Sequence, residues 1–318
     1  MRFPGRPIAA LVALGILAFM TAPSLAGSWY GIRDKAMGYR EKGQAAAAYS
    51  LVVGASPARG EDSFDRDFLA GWLALRSLHR PDVAVVHFKE MATESARLPK
   101  SKAPQGKAKA GYWLGRALRD LGRKSDAEAM FRASMAYTTS FYGQLSASEL
   151  KLAVTKSQVS GKADAYPVKE LYWHDSRARP EFVLAVIREE SRFKQDSTSS
   201  KSARGMMQVM DGTARHVGKT AGVNIDIGLM RSNPDYNIAV GSRYLADQLE
   251  RFGGNPMLAA AAYNAGPERV DEWIARFGDP RGGRADPVDW AESIPFRETR
   301  EYVQKVISAY ITYLALKG

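Results

Sequence analysis

The hydrophobic pattern is sharpest between Pro180 and Met210. Phe182, Val183, Val186, Ile187 and Phe193 recur at helical spacing, and Pro180 and Glu181 suit the first turn of a helix. At ~100° per residue the apolar positions fill one sector. Glu190 falls near its middle and Glu189 at its edge, while Arg188, Ser191 and Arg192 project the other way. A carboxyl on a buried stripe either pairs with a cation or takes up a proton as its pKa rises. The first outcome is an ordinary ion pair at the rim of a core. The second is a general acid that works near neutral pH. After Phe193 a Ser- and Thr-rich run leads through Gly205 back to the apolar Met206 to Met210, with Gln208 among them. A tight loop of this kind brings Ser199 and Gln208 back over the face that holds Glu190.

Upstream, from Gly27 to about Leu150, the pattern is helix after helix with little strand signal. Three pairs of a small residue and an aromatic four positions later, Ala45/Tyr49, Ala84/Phe88 and Ala127/Phe131, recur at spacings of 39 and 43 residues. Each follows an aromatic helix and a short polar turn. This predicts stacked helical hairpins in an irregular, tetratricopeptide-like superhelix, with Trp72, Trp113 and Phe131 in its core. Leu98 to Lys109, rich in Lys, Pro and Gly, reads as a solvated loop between hairpins. Residues 151–178 are polar and mixed and hold the expected linker. Tyr166-Pro167 and Tyr172-Trp173 suggest that part of it docks on the second domain.

The second half, 179–318, alternates helices and breaks. Thr213 to Val217 predicts a helix, and Asn237 to Phe252 an amphipathic one stopped at Gly253-Gly254-Asn255. Pro256 opens a helix of small residues that permits close packing and ends at Asn264-Ala265-Gly266-Pro267. Arg276 to Pro287 reads as a Gly- and Arg-rich loop, and Glu298 to Leu316 as the last helix, with Tyr302, Val306, Tyr310 and Tyr313 on connected faces.

Composition adds further constraints. Arg2 and Arg6 precede an apolar run from Ile8 to Met20, with Ser24-Leu25-Ala26 as a cleavage site, which predicts a secretory signal over 1–26 rather than a retained anchor. Export to the periplasm is the expected destination. There is no cysteine, so stability rests on packing and not on disulfides. The formal charge of +11 suits an anionic partner such as cell-wall polymer, or simply a soluble surface. No basic stripe with interleaved aromatics appears, which argues against nucleic acid. The four histidines lack metal-ligand spacing, and neither metal nor cofactor is expected.

Four blocks, taken together, resemble the soluble lytic transglycosylases of the bacterial cell wall. They are Arg188-Glu189-Glu190-Ser191-Arg192-Phe193, Gly205-Met206-Met207-Gln208-Val209-Met210, Ala262-Tyr263-Asn264-Ala265-Gly266, and Ile294-Pro295-Phe296-Arg297-Glu298-Thr299-Arg300-Glu301-Tyr302-Val303. Phe141-Tyr142-Gly143-Gln144-Leu145 is similar to the end of that family's superhelix. The resemblance implies a mainly α chain: an α-superhelix over 27–150, then a lysozyme-like catalytic domain over 179–318. It implies Glu190 as the single acid/base and Ser199, Gln208, Met210, Tyr263, Asn264 and Tyr302 as substrate-binding residues. The implied substrate is the peptidoglycan glycan strand, cleaved between N-acetylmuramic acid and N-acetylglucosamine with an anhydro product. The superhelix would recruit proteins of cell-wall synthesis or secretion. Ser202 stands where the family has glycine and Met206 where it has leucine. Two other readings stay open. A hydrolytic lysozyme would need a second carboxylate, with Asp196, Asp211 or Asp235 as suspects. A wall-binding scaffold would need no acid at all.

Overall fold

The computed structural model describes residues 28–161, 175–199 and 202–317. The expected signal segment, and residues 162–174 of the expected linker with Tyr166-Pro167 and Tyr172-Trp173, lie outside the described residues. Among the described residues the chain is helical, with isolated bridges and no strand.

The first half comprises α1 (Trp29–Glu41), α2 (Ala45–Val53), α3 (Glu61–Arg76), α4 (Pro81–Glu94), α5 (Ala103–Asp120), α6 (Lys124–Met135), α7 (Phe141–Glu149) and the short α8 (Lys156–Val159). Neighbours in sequence pack as pairs: α1 on α2, α3 on α4 and α5 on α6. Two of the small/aromatic pairs are buried as expected, and each aromatic has a glycine opposite. A Cβ added to Gly71 of α3 would lie 2.5 Å from the ring of Phe88, and one on Gly115 of α5 would lie 2.6 Å from that of Phe131. The glycines let each ring seat against the neighbouring helix backbone. In the first pair the contact differs: Tyr49 is half-buried and its hydroxyl meets His87 Nε2 at 2.8 Å. Trp72 and Trp113 sit fully buried in this core with Phe68 and Phe88.

The expected solvated loop from Leu98 to Lys109 ends earlier than its composition suggests. Residues from Ala103 onward are the first turns of α5, with Pro104 in the first turn where its missing N–H costs nothing. Gly106 is buried against Leu98, whose Cδ1 lies 2.3 Å from where a Cβ would stand. Lys109 is nearly buried beneath Phe68 and paired with Glu292.

The second half comprises α9 (Pro180–Ser191), α10 (Asp211–Ala221), α11 (Ile227–Ser232), α12 (Pro234–Arg251), α13 (Pro256–Ala265), α14 (Pro267–Phe277), α15 (Pro287–Ser293) and α16 (Arg297–Lys317). Ala259 to Ala262 are wholly buried, so α13 runs through the core with α12, α14 and α16 against it. Gly253 and Gly254 both adopt positive φ and stop α12. Helices α11, α14 and α15 were not expected from the pattern. Each starts from a local cap or proline: Asp226 caps α11, Pro267 opens α14, and Asp286 caps α15.

Helix α15 belongs to the second half in sequence, yet Val288 joins the first core. Asp289 accepts from Trp72 Nε1 at 2.8 Å and pairs with Arg76, and Asp286 pairs with Arg116 at 2.9 Å. Glu292 is buried against Lys109. The two cores therefore meet in part along this acidic helix, set against cations of the superhelix, and in part where α7 and α8 pack on α16.

Candidate active site

Helix α9 delivers Glu190 one residue before its end. Arg192 and Phe193 then adopt φ of 53° and 63°, two left-handed residues in succession, which turn the chain sharply and take Phe193 out of the helix. Ser191 does not point away, as projection on an ideal helix suggests. It is buried, and its hydroxyl donates to Met206 O at 2.8 Å. The returning loop supplies the acceptor that the helix pattern could not reveal.

The loop is braced from within and from below. Residue pairs Thr198/Arg204 and Arg204/Val209 form bridges, and Met206 N donates to Gln195 Oε1 at 3.0 Å. Beneath it lies Asn237, fully buried in the first turn of α12. Its amide accepts from Met207 N at 2.9 Å and donates to Arg204 O and Met230 O, each at 3.0 Å. Gly205 has φ of 82°, and a Cβ there would stand 2.4 Å from Asn237 Nδ2. Only glycine fits both the conformation and the space. Ser202, which stands where the related family has glycine, takes φ of 61°, the conformation for which glycine is ordinarily used.

Glu190, Ser199, Gln208, Met210, Tyr263, Asn264 and Tyr302 all line one groove of about 790 Å³. Tyr302, nearly buried on α16, donates from its hydroxyl to Glu190 Oε1 at 2.7 Å. Tyr263 donates to Met207 O at 2.8 Å and so ties α13 to the loop. Asn264 Oδ1 accepts from Thr299 Oγ1 at 2.7 Å. The Gln208 amide donates to Ser197 O and Gly205 O, both at 2.9 Å, which holds that residue at φ of 47°. Ser199 Oγ accepts from Ala203 N at 3.1 Å, and Met210 is half exposed on the groove wall.

Burial pushes the Glu190 carboxyl up to about 7; the Tyr302 hydrogen bond pulls it down, and the charges of Glu189 and Glu298 push it further up. A carboxyl so placed is part protonated at neutral pH and can both give and take a proton. Burial likewise drives the hydroxyls of Tyr302 and Tyr263 well above the ordinary tyrosine range, so both act as neutral donors. Glu189 is different: Arg188 and Arg192 both pair with it, Arg192 at 3.6 Å.

Several lining residues escaped the sequence reading. Phe296, Glu298 and Thr299 lie inside the fourth block but had no role assigned. Tyr244 and Arg269 lie in no block at all; Tyr244 packs on Tyr263 with ring centroids 5.4 Å apart, and Arg269 covers Phe296 at 5.0 Å. None of Asp196, Asp211 and Asp235, the suspects for a second carboxylate, lines the groove. Asp211 is paired with Arg231 at 2.5 Å. Away from the groove, Asp67, His87 and Glu90 bring ligand-type atoms within 4.8 Å of one another, a cluster that spans α3 and α4 and so has no spacing to read. Its members are already engaged, Asp67 with Arg66 at 2.6 Å and His87 with Tyr49.

Residues 172–282 match the family model described as the transglycosylase SLT domain. A soluble lytic murein transglycosylase of Salmonella typhimurium is 41% identical over 133 residues, which is 42% of this chain and 20% of the relative. The Escherichia coli protein of the same description is 38% identical over 135 residues, again 42% and 20%. The chain thus matches about a fifth of the length of these curated relatives. Among solved structures, an inactive mutant of the lytic transglycosylase Slt from Pseudomonas aeruginosa superimposes with a TM-score of 0.62 at 23% identity, covering 89% of this chain and 56% of that one. The 70-kDa soluble lytic transglycosylase of Escherichia coli gives 0.58 at 20%, covering 93% and 66%. The shared fold is a helical superhelix followed by a lysozyme-like helical domain.

Proposed function

We propose that this chain, whose residues 172–282 match the transglycosylase SLT domain model, is a peptidoglycan lytic transglycosylase. It would cleave the β-1,4 bond between N-acetylmuramic acid and N-acetylglucosamine and leave a 1,6-anhydromuramoyl end. The observation that carries the reading is a carboxyl at Glu190 that titrates near 7 in a groove, with a neutral tyrosine hydroxyl at 2.7 Å.

In this mechanism Glu190 protonates the glycosidic oxygen as the bond breaks. The substrate's own 2-acetamido oxygen stabilises the cationic carbon, as in the substrate-assisted exceptions to the two-carboxylate rule. Glu190, now a carboxylate, takes the proton from the muramoyl 6-hydroxyl as that oxygen closes on the anomeric carbon. No water is consumed. Tyr302 holds the carboxylate between the two steps, and one acid/base so positioned supplies about 10²–10⁴ in rate. Ser199, Gln208, Met210, Tyr263 and Asn264 would contact the sugars. We take residues 27–150 as the superhelical domain, 151–178 as the linker and 179–318 as the catalytic domain, working in the periplasm after removal of 1–26.

A hydrolytic reading has one observation in its favour: Glu298 lines the groove from the first turn of α16 and is exposed there. A lysozyme could use it as the second carboxylate. Digestion of purified sacculi and mass analysis of the fragments separates the two. The transglycosylase releases fragments lighter by one water than those of a hydrolase, and reducing muramoyl ends as the sole product would overturn the proposal.

A further inference from the structure

The mechanism leaves Phe141-Tyr142-Gly143-Gln144-Leu145 without a part, yet this block grips the helix that carries Tyr302. Helix α7 starts at Phe141, capped by Ser140 Oγ, which accepts from Gly143 N at 3.1 Å. A Cβ on Gly143 would stand 2.1 Å from Tyr137 O, so α7 lies hard against the preceding turn. From that fixed base two side chains reach α16. The Tyr142 hydroxyl accepts from Gln304 Nε2 of α16 at 3.3 Å and donates to Glu292 Oε1 of α15, and that buried carboxylate also accepts from Lys109 Nζ at 3.0 Å and from Gln304 Nε2 at 2.8 Å. Further along, Gln144 Nε2 donates to Ser308 O and Thr312 Oγ1, each at 3.0 Å.

Gln304 lies two positions after Tyr302, which is ~200° around a helix. The contact at Gln304 is therefore opposite the face that presents Tyr302 to Glu190, and those at Ser308 and Thr312 lie on its flank, ~120° and ~80° round from Tyr302. We propose that Tyr142 and Gln144 are positioning residues of the acid site, which hold the back of α16 and so set the Tyr302–Glu190 distance. Hydrogen bonds weaken steeply as they lengthen or bend, and a helix released on one side needs to recede by only a fraction of an ångström to lose this one. The consequence for catalysis rests on the reading of Glu190 as the acid.

The groups facing Glu190 are Glu189 on its own helix, Tyr263 on α13, and Tyr302 and Glu298 on α16. Recession of α16 weakens both of its contributions, but the Tyr302 bond outweighs the Glu298 repulsion, so the carboxyl rises.

The test is a ¹³C-carboxyl NMR titration of Glu190 in the full chain, with turnover measured beside it. Tyr302→Phe is expected to move the Glu190 titration upward. Tyr142→Phe with Gln144→Leu should move it the same way, lower kcat with KM little changed, and add nothing once Tyr302→Phe is present. Tyr142→Phe alone keeps the ring and its packing, and provides the measurement should the double variant fold poorly. A folded variant that titrates like the wild type, or a shift that adds in full to that of Tyr302→Phe, overturns the proposal. Absence of anhydro product from the wild type would instead count against the catalytic reading and leaves the NMR comparison in force.

Discussion

Tyr302 and Glu190 lie 112 positions apart in the chain and share a 2.7 Å hydrogen bond at the floor of the groove. The hydroxyl donates and the carboxyl accepts, so the bond favours the charged form of Glu190 while burial favours the neutral one. The balance near 7 is set chiefly by these two opposed effects, with the charges of Glu189 and Glu298 adding to the rise.

Replacing Glu190 by Gln keeps the shape and removes the proton. Turnover of sacculi should fall by about 10²–10⁴, the worth of one acid/base, while binding of glycan strands persists. A variant with wild-type turnover would end the single-acid account.

The same substitution has a consequence for stability. The folded carboxyl titrates near 7 and the ordinary value is 4.5. Below about 4.5 the group is neutral in both states and contributes nothing. As pH rises from there to 7 the unfolded chain ionises first, and the native state loses stability by up to about 3 kcal/mol. Glu190→Gln should therefore melt higher than the wild type at pH 8, with the gap closing at pH 4.

Tyr302→Phe removes the bond that lowers the Glu190 pKa. The high-pH limb of the kcat/KM profile should move to higher pH, and the maximal rate should fall about tenfold for a lost hydrogen bond of 1–2 kcal/mol. A limb that moves to lower pH would contradict the assigned direction.

Beneath the loop, Gly205→Ala places a Cβ against Asn237 in a left-handed conformation. A loss of about 2–4 kcal/mol is expected in urea unfolding. Asn237→Ala should cost a comparable amount by a different route, since it strands Met207 N and Met230 O.

In the superhelix, Gly115→Ala drives a methyl into the ring of Phe131 and should destabilise by about 1–3 kcal/mol. Adding Phe131→Leu, which opens space, should return part of that loss. Additive effects in the pair would mean that glycine and ring do not meet.

What could be read from the chain alone depended on how far away each residue's partner lies. Glu190 stood out because a carboxyl interrupts an apolar sector within one helix. Gly205 and the paired small and aromatic residues were visible for the same local reason. Asn237 was not, since an Asn in the first turn of an amphipathic helix looks like any polar N-terminus until the loop above it is in place. Ser191 was misplaced because its acceptor, Met206 O, belongs to a chain that folds back. Lys109 was misplaced because its carboxylate lies 183 residues on. Composition told of solvent there, and the tertiary partner decided otherwise.

Helix α15 carries a further consequence for anyone who recombines such chains. Asp286, Asp289 and Glu292 arrive as three negative prongs, and Arg76, Arg116 and Lys109 are the sockets that receive them. A catalytic half grafted onto another helical array would bring its plug without its outlet. Any donor array must re-supply those cations at matching positions, or the transplant would press its acids against a surface that does not pair them.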